Sequence, residues 1–198
     1  MKRLALASAA AALAALPNAA LAHTFGAHDA GLVHGFLHPV GGWDHLLAMV
    51  AVGLWAAQRG GNALWLLPTA FVGAMVGGGL MGMAGLELPQ AELAILLSVA
   101  ALGGLVALQS RLPLLASAGV VALFAVFHGH AHGTEMPEAA QPLLYGLGFA
   151  VSTALLHVAG IGAALSLRRL VEGRKAALAV RGTGALVGLA GVALIAFG

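Results

Sequence analysis

Six apolar stretches follow one another along this chain, at about residues 43–58, 63–83, 92–109, 113–128, 142–167 and 177–197. A helix crossing a bilayer needs about 20 apolar residues. Most of the six are near that length, and the first and fourth are short. Turn signals or charges separate them: Arg59-Gly60-Gly61-Asn62, Leu88-Pro89, Arg111-Leu112-Pro113, Gly133 to Pro142, and Arg168 to Lys175. Only 8% of residues are charged, against about 25% in a soluble domain. The pattern predicts an all-α, polytopic membrane helix bundle of six transmembrane helices.

The N-terminus carries its own signal. Lys2 and Arg3 precede an apolar run from Leu4 to Leu16, then Pro17, Asn18 and Ala20-Leu21-Ala22. A charged start, a short apolar run and an A-x-A site describe a cleavable secretory signal peptide. Residues 1–22 are therefore expected to be removed, leaving 23–198 as one six-helix domain. An N-terminus left outside puts Arg59, Arg111, Arg168, Arg169, Arg174, Lys175 and Arg181 in inner loops. Asp29, Glu87, Glu92, Glu135 and Glu138 fall in outer segments. Cytoplasmic loops of membrane proteins carry the excess of Lys and Arg, so the two signals agree on this orientation. The same placement explains the pI of about 9.7 without nucleic acid, for which the basic residues are too scattered.

Two clusters of metal-ligand residues then fall on one side, the periplasmic one. The first runs His38-Pro39-Val40-Gly41-Gly42-Trp43-Asp44-His45. The second runs Phe127-His128-Gly129-His130-Ala131-His132-Gly133-Thr134-Glu135. An ionisable group at the centre of a membrane helix costs roughly 2.5–3.5 kcal/mol, so such density calls for a cation, a proton path or a partner. Helical residues seven apart lie within about 20° of one another. His38 and His45 are then expected on one face, with His38 at a helix start that tolerates Pro39. Asp44 can ligate or orient an imidazole. His128, His132 and Glu135 share a face if their helix runs on; Gly129 and Gly133 could instead break it into a loop that wraps an ion. His130 points elsewhere.

The absence of cysteine rules out thiolate ligands. Imidazole and carboxylate suit a divalent ion such as Ni²⁺ or Co²⁺, without separating these from Zn²⁺ or Mn²⁺. His23 and His34 are further outer histidines; His157 is the one inside a span, where an inter-helix hydrogen bond is the plainer reading. Met75, Met81, Met83, Phe71 and Trp43 read first as packing or interfacial residues. Gly73/Gly77 and Gly184/Gly188 have the spacing that lets membrane helices approach closely. A membrane metalloenzyme or haem protein is disfavoured, because HExxH is absent and the ligands gather at an aqueous rim; the chain is not expected to be an enzyme. A metal sensor or chaperone that binds without transport is the other alternative.

At these residues the chain resembles the HupE/UreJ family of bacterial nickel permeases. Its first signature, His, five residues, Asp-His, is met by His38, Asp44 and His45. Its second, Phe-His-Gly-x-Ala-His-Gly-x-Glu, is met by residues 127 to 135 without mismatch. The resemblance implies import of Ni²⁺, or of Co²⁺ or another divalent metal, as transported substrate for hydrogenase or urease assembly, with their maturation proteins as possible partners and no organic cofactor. Glu92 with Ser98, Phe71 and His157 also look like family positions. Glu92, at the outer end of its span, could complete a carboxylate ring.

Overall fold

The computed structural model describes residues 30–137, 140–171 and 173–197. The signal segment, residues 1–22, and His23 lie outside the described residues. Among the described residues seven helices run α1 (Ala30–Gly41), α2 (Trp43–Arg59), α3 (Ala63–Met83), α4 (Ala91–Ala107), α5 (Leu114–Thr134), α6 (Pro142–Leu170) and α7 (Gly173–Phe197). Four of them, α3, α5, α6 and α7, are long and apolar enough to cross a membrane. A fifth span arises if α1 and α2 count as one broken crossing, since they meet at 81°. With 17 residues, α4 rises about 25 Å, short of the roughly 30 Å hydrocarbon core. Six full-length spans are thus not what the described helices present.

Two boundaries differ from the sequence expectation. A helix, α1, precedes the first apolar stretch, and Pro39 lies inside its last turn with His38. It ends because Gly42 takes an extended conformation, φ −105° and ψ 125°. His38 is therefore not at a helix start, and His38 and His45 do not share one helical face. The other difference is α5, which runs six residues past the expected end at 128 and stays helical through Gly129 and Gly133.

The reason α5 survives its glycines is packing. A Cβ at Gly129 would run into the carbonyl of Met75, and one at Gly133 into that of Gly79; Gly78 and Gly82 return the contact against Val126 and His130. Helices α3 and α5 thus lie backbone against backbone, as small residues permit in membrane bundles. The expected Gly73/Gly77 pair does not do this: a Cβ at either would meet nothing. Gly184 and Gly188 do pack as expected, against α4 near Gly103. Gly53 and Gly160 bring α2 against α6 in the same way.

Helix α2 is the axis of the bundle. Ala48, Met49, Val52, Trp55 and Ala56 are fully buried, and α2 touches α3, α4, α6 and α7. Large apolar side chains such as Trp65, Leu115, Leu143, Leu170 and Leu186 point outward. A polar-coated globule buries such residues; a lipid-facing bundle exposes them. The charges segregate. Trp55 Nε1 donates to the Ser110 carbonyl at 3.1 Å and Arg181 Nε to that of Ala107 at 2.8 Å. Those bonds gather Arg59, Arg111 and Arg181 at one end, while the histidine-rich segments meet at the other.

Candidate metal site

The site forms where the α1–α2 elbow meets the C-terminal end of α5 and the start of α6. The elbow does by folding what a continuous helix was expected to do by periodicity. His38 on α1 and His45 on α2 both turn toward His132, with ring centroids 4.5 Å and 4.3 Å from it. His45 also lies edge-on to His128 at 4.6 Å. Beyond His128 stands Phe71 of α3, at 5.6 Å, and beyond Phe71 is His157 of α6, at 5.0 Å. The rings form a string: His38, His132, His45, His128, Phe71, His157. Its two ends differ in exposure. The side chains of Glu135 and His38 are 56% and 34% exposed, and His128 and His157 are fully buried.

Three of the rings, His38, His45 and His128, have a hydrogen-bonding partner. His38 Nε2 lies 3.2 Å from Glu135 Oε2, and its Nδ1 is 3.2 Å from the Tyr145 hydroxyl. Asp44 Oδ1 accepts from both the backbone N–H of His45, at 2.7 Å, and its Nδ1, at 2.8 Å. That pins the tautomer: with Nδ1 carrying the proton, Nε2 of His45 keeps its lone pair. A carboxylate behind an imidazole is the usual way a metal-binding histidine is oriented. Ser98 performs a similar service for His128. Its hydroxyl donates to the Ile95 carbonyl at 2.6 Å, so its oxygen accepts from His128 Nε2 at 2.9 Å. Nδ1 of His128 is then the lone-pair nitrogen. The hydrogen bond from His38 also holds the Glu135 carboxyl below its usual value of 4.5, against a smaller opposing effect of burial.

Other ring nitrogens have none. Nε2 of His45, Nδ1 of His128, and both ring nitrogens of His132 and His157 are buried with no hydrogen-bond partner among the described residues. A buried polar atom left unpaired costs about 1–3 kcal/mol, and native folds carry few of them. Here six gather along one string of rings. Imidazole lone pairs are ligands for a divalent transition ion. One ligand atom from each of His38, His132 and Glu135 lies within 4.8 Å of the other two. With metal–nitrogen bonds of about 2.0–2.1 Å, ligands of one ion are about 3–4.2 Å apart, so side-chain adjustments of about 1–2 Å close this triad.

The structure therefore brings together His38, Asp44, His45, His128, His132 and Glu135. His157 and Phe71 continue the line inward. The inter-helix hydrogen bond considered for His157 is not made among the described residues. Glu92 is exposed in the first turn of α4 and joins none of these contacts. His34 is half-buried on α1, away from the string. His130 faces outward from it, donating from Nε2 to the Leu86 carbonyl at 2.6 Å. Two contributors were not anticipated from sequence. Tyr145 bonds His38, and Phe149 stacks at 3.8 Å on His132. Both sit one turn apart at the outer start of α6, and Tyr145 is the only tyrosine in the chain, which was the available hint.

Comparison with known proteins agrees with the motifs. The family model described as HupE / UreJ protein matches residues 11–194. Protein HupE of Rhizobium leguminosarum bv. viciae is 48% identical over 181 residues, covering 91% of this chain and 92% of that protein. No solved structure matches. With a match across nearly its whole length, the chain belongs to the HupE / UreJ family.

Proposed function

We propose that this protein is a permease that carries a divalent transition metal, Ni²⁺ in the first instance, inward across the bacterial inner membrane. The observation that carries the reading is the string of imidazoles that runs from a part-exposed rim to a fully buried interior and leaves six buried ring nitrogens without a protein partner among the described residues. In this reading α2 to α7 make six crossings, and the histidine end faces the periplasm. The hydrated ion is captured by Glu135, His38 and His132, with Glu92 adding negative charge nearby. His132 stands between His38 and His45, so the ion exchanges water for nitrogen one ligand at a time. It then passes to His45 and His128, whose free nitrogens are fixed by Asp44 and Ser98. Phe71 lies between this group and His157, and its ring must turn aside for the ion to continue.

No P-loop occurs in the sequence, and the membrane potential suffices as a drive. It supplies about 2.3 kcal/mol per charge per 100 mV, hence about 4.6 kcal/mol for a divalent ion. The metal serves metallocentre assembly in hydrogenase or urease, whose maturation proteins would receive it. The test is uptake of radiolabelled Ni²⁺ in a strain lacking other nickel importers. Replacing His132 by Ala should reduce uptake at least about 100-fold, given that even groups that only orient a ligand are worth 10–100-fold. Unchanged uptake in that variant removes the route. Flux into proteoliposomes, with Ni²⁺, Co²⁺ and Zn²⁺ in competition, identifies the preferred ion.

A further inference from the structure

The opposite end of the bundle holds a second, chemically different pocket. It has a volume of about 290 Å³ and is lined by Gln58, Arg59, Gln109, Ser110 and Arg111, at the lower end of the range of about 300–1,000 Å³ for ligand pockets. Every lining side chain is polar. His45 and Gln58 are thirteen residues apart on α2, about 20 Å of rise, so this pocket is remote from the histidine string.

Its walls are built, not incidental. Helix α4 closes with Gln109 in the left-handed region, φ 54°, as the N–H of Ser110 returns to the Leu105 carbonyl at 2.9 Å. Trp55 bonds the Ser110 carbonyl from α2, and Gln58 Nε2 donates to the Val106 carbonyl at 3.0 Å. These bonds fix the end of α2 against the α4–α5 turn and set Arg59 and Arg111 around one hollow. Neither guanidinium pairs with a carboxylate among the described residues. Gln58 Oε1 is buried with no partner there. Two guanidinium forks with no carboxylate partner among the described residues suit an anion, and phosphate oxygens match their geometry.

We propose that this pocket binds a phosphate-bearing anion, such as the glycerol phosphate headgroup of an anionic lipid. Basic pockets between membrane helices hold phospholipid headgroups at the cytoplasmic side, and Trp65, Leu108 and Leu115, which flank this end, are exposed apolar residues suited to acyl chains. A headgroup and free phosphate share the chemistry that Arg59 and Arg111 read.

The experiment is native mass spectrometry of the full chain, delipidated in detergent and offered phosphatidylglycerol, phosphatidylcholine or inorganic phosphate. Phosphatidylglycerol should be retained at least fivefold over phosphatidylcholine, and R59Q/R111Q should abolish that preference. R168Q/R169Q, which alters two arginines of α6 outside the pocket, should leave it intact. Should R59Q/R111Q elute as an aggregate, R111Q alone, in an exposed turn, should still halve retention. If inorganic phosphate binds without lipid, displaces phosphatidylglycerol and is lost in R59Q/R111Q, the phosphate site stands and its ligand is soluble. No preference in the parent protein, or equal loss in R168Q/R169Q, overturns the proposal.

Discussion

His38 and His157 carry the same side chain at the two ends of one string of rings, yet their surroundings are opposite. His38 is half exposed and has both nitrogens engaged, by Glu135 and Tyr145. His157 is fully buried among apolar residues and has neither nitrogen engaged among the described residues. At the rim, water and carboxylates are available, and a hydrogen bond fixes the ring cheaply. Inside, a protein partner would compete with a passing cation for the same lone pair. In the proposed permease the difference divides the work: His38 is a ring oriented for capture, while His157 keeps its nitrogens free for transit.

Separating those two roles is the most direct challenge to this contrast. His157→Ala should lower metal uptake about 100-fold and leave equilibrium Ni²⁺ binding to the purified protein nearly unchanged; loss of binding would show that His157 belongs to the capture site. Asp44→Asn should act in the other sense, weakening Ni²⁺ binding about 10–100-fold, because it removes the carboxylate that fixes the His45 tautomer. Titration calorimetry at constant pH reads it, and an affinity equal to the parent's would dissolve the distinction between an orienting rim and a free interior. Ser98→Ala is expected to cost less, about tenfold in affinity, by releasing the His128 proton from its acceptor.

The smallest effect is on acid stability. The bond from His38 lowers the Glu135 carboxyl below 4.5. A lowered folded value means that this stabilisation is complete above pH 4.5 and is lost as pH falls through the lowered value. Glu135 is more than half exposed, so solvent screening keeps the contribution below about 1 kcal/mol. The metal-free parent should therefore exceed Glu135→Gln slightly in melting temperature above pH 4.5, with the gap closing toward pH 3. A gap that widens in acid would reverse the assigned sign.

Much of this was legible in the sequence, for reasons that differ by residue. The apolar stretches located α3, α6 and α7 well, because hydropathy reports lipid exposure directly. His128 and His132 are four apart on one unbroken helix, so periodicity alone placed both on the string. His38 and His45 were correctly paired for the wrong reason: the seven-residue spacing assumed one helix, and the chain instead turns at Gly42. A sharp elbow depends on how α1 packs against α6 through Gly35 and Gly148, a tertiary contact that no local pattern encodes. The glycine seam was misplaced for a similar cause. Gly73/Gly77 and Gly78/Gly82 have identical spacing within α3, and only the position of α5 decides which pair is used. The tyrosine at 145 and Phe149 escaped notice because single aromatic residues in an apolar helix look like packing.

The elbow at Gly42 has a mechanical corollary. His38 rides on one arm and His45 on the other, whereas His128 and His132 are clamped to α3 by the seam at Gly129 and Gly133. From Gly42 to His38 the arm is about 6 Å long, so a change of 10° in the angle moves that imidazole by about 1 Å. That is enough to loosen one bond of a coordination sphere while the others hold. Spin labels at Leu37 and Thr134 would report this: a distance that contracts on adding Ni²⁺ identifies the elbow as the moving part of the vestibule, and an unaltered distance makes it a rigid bracket.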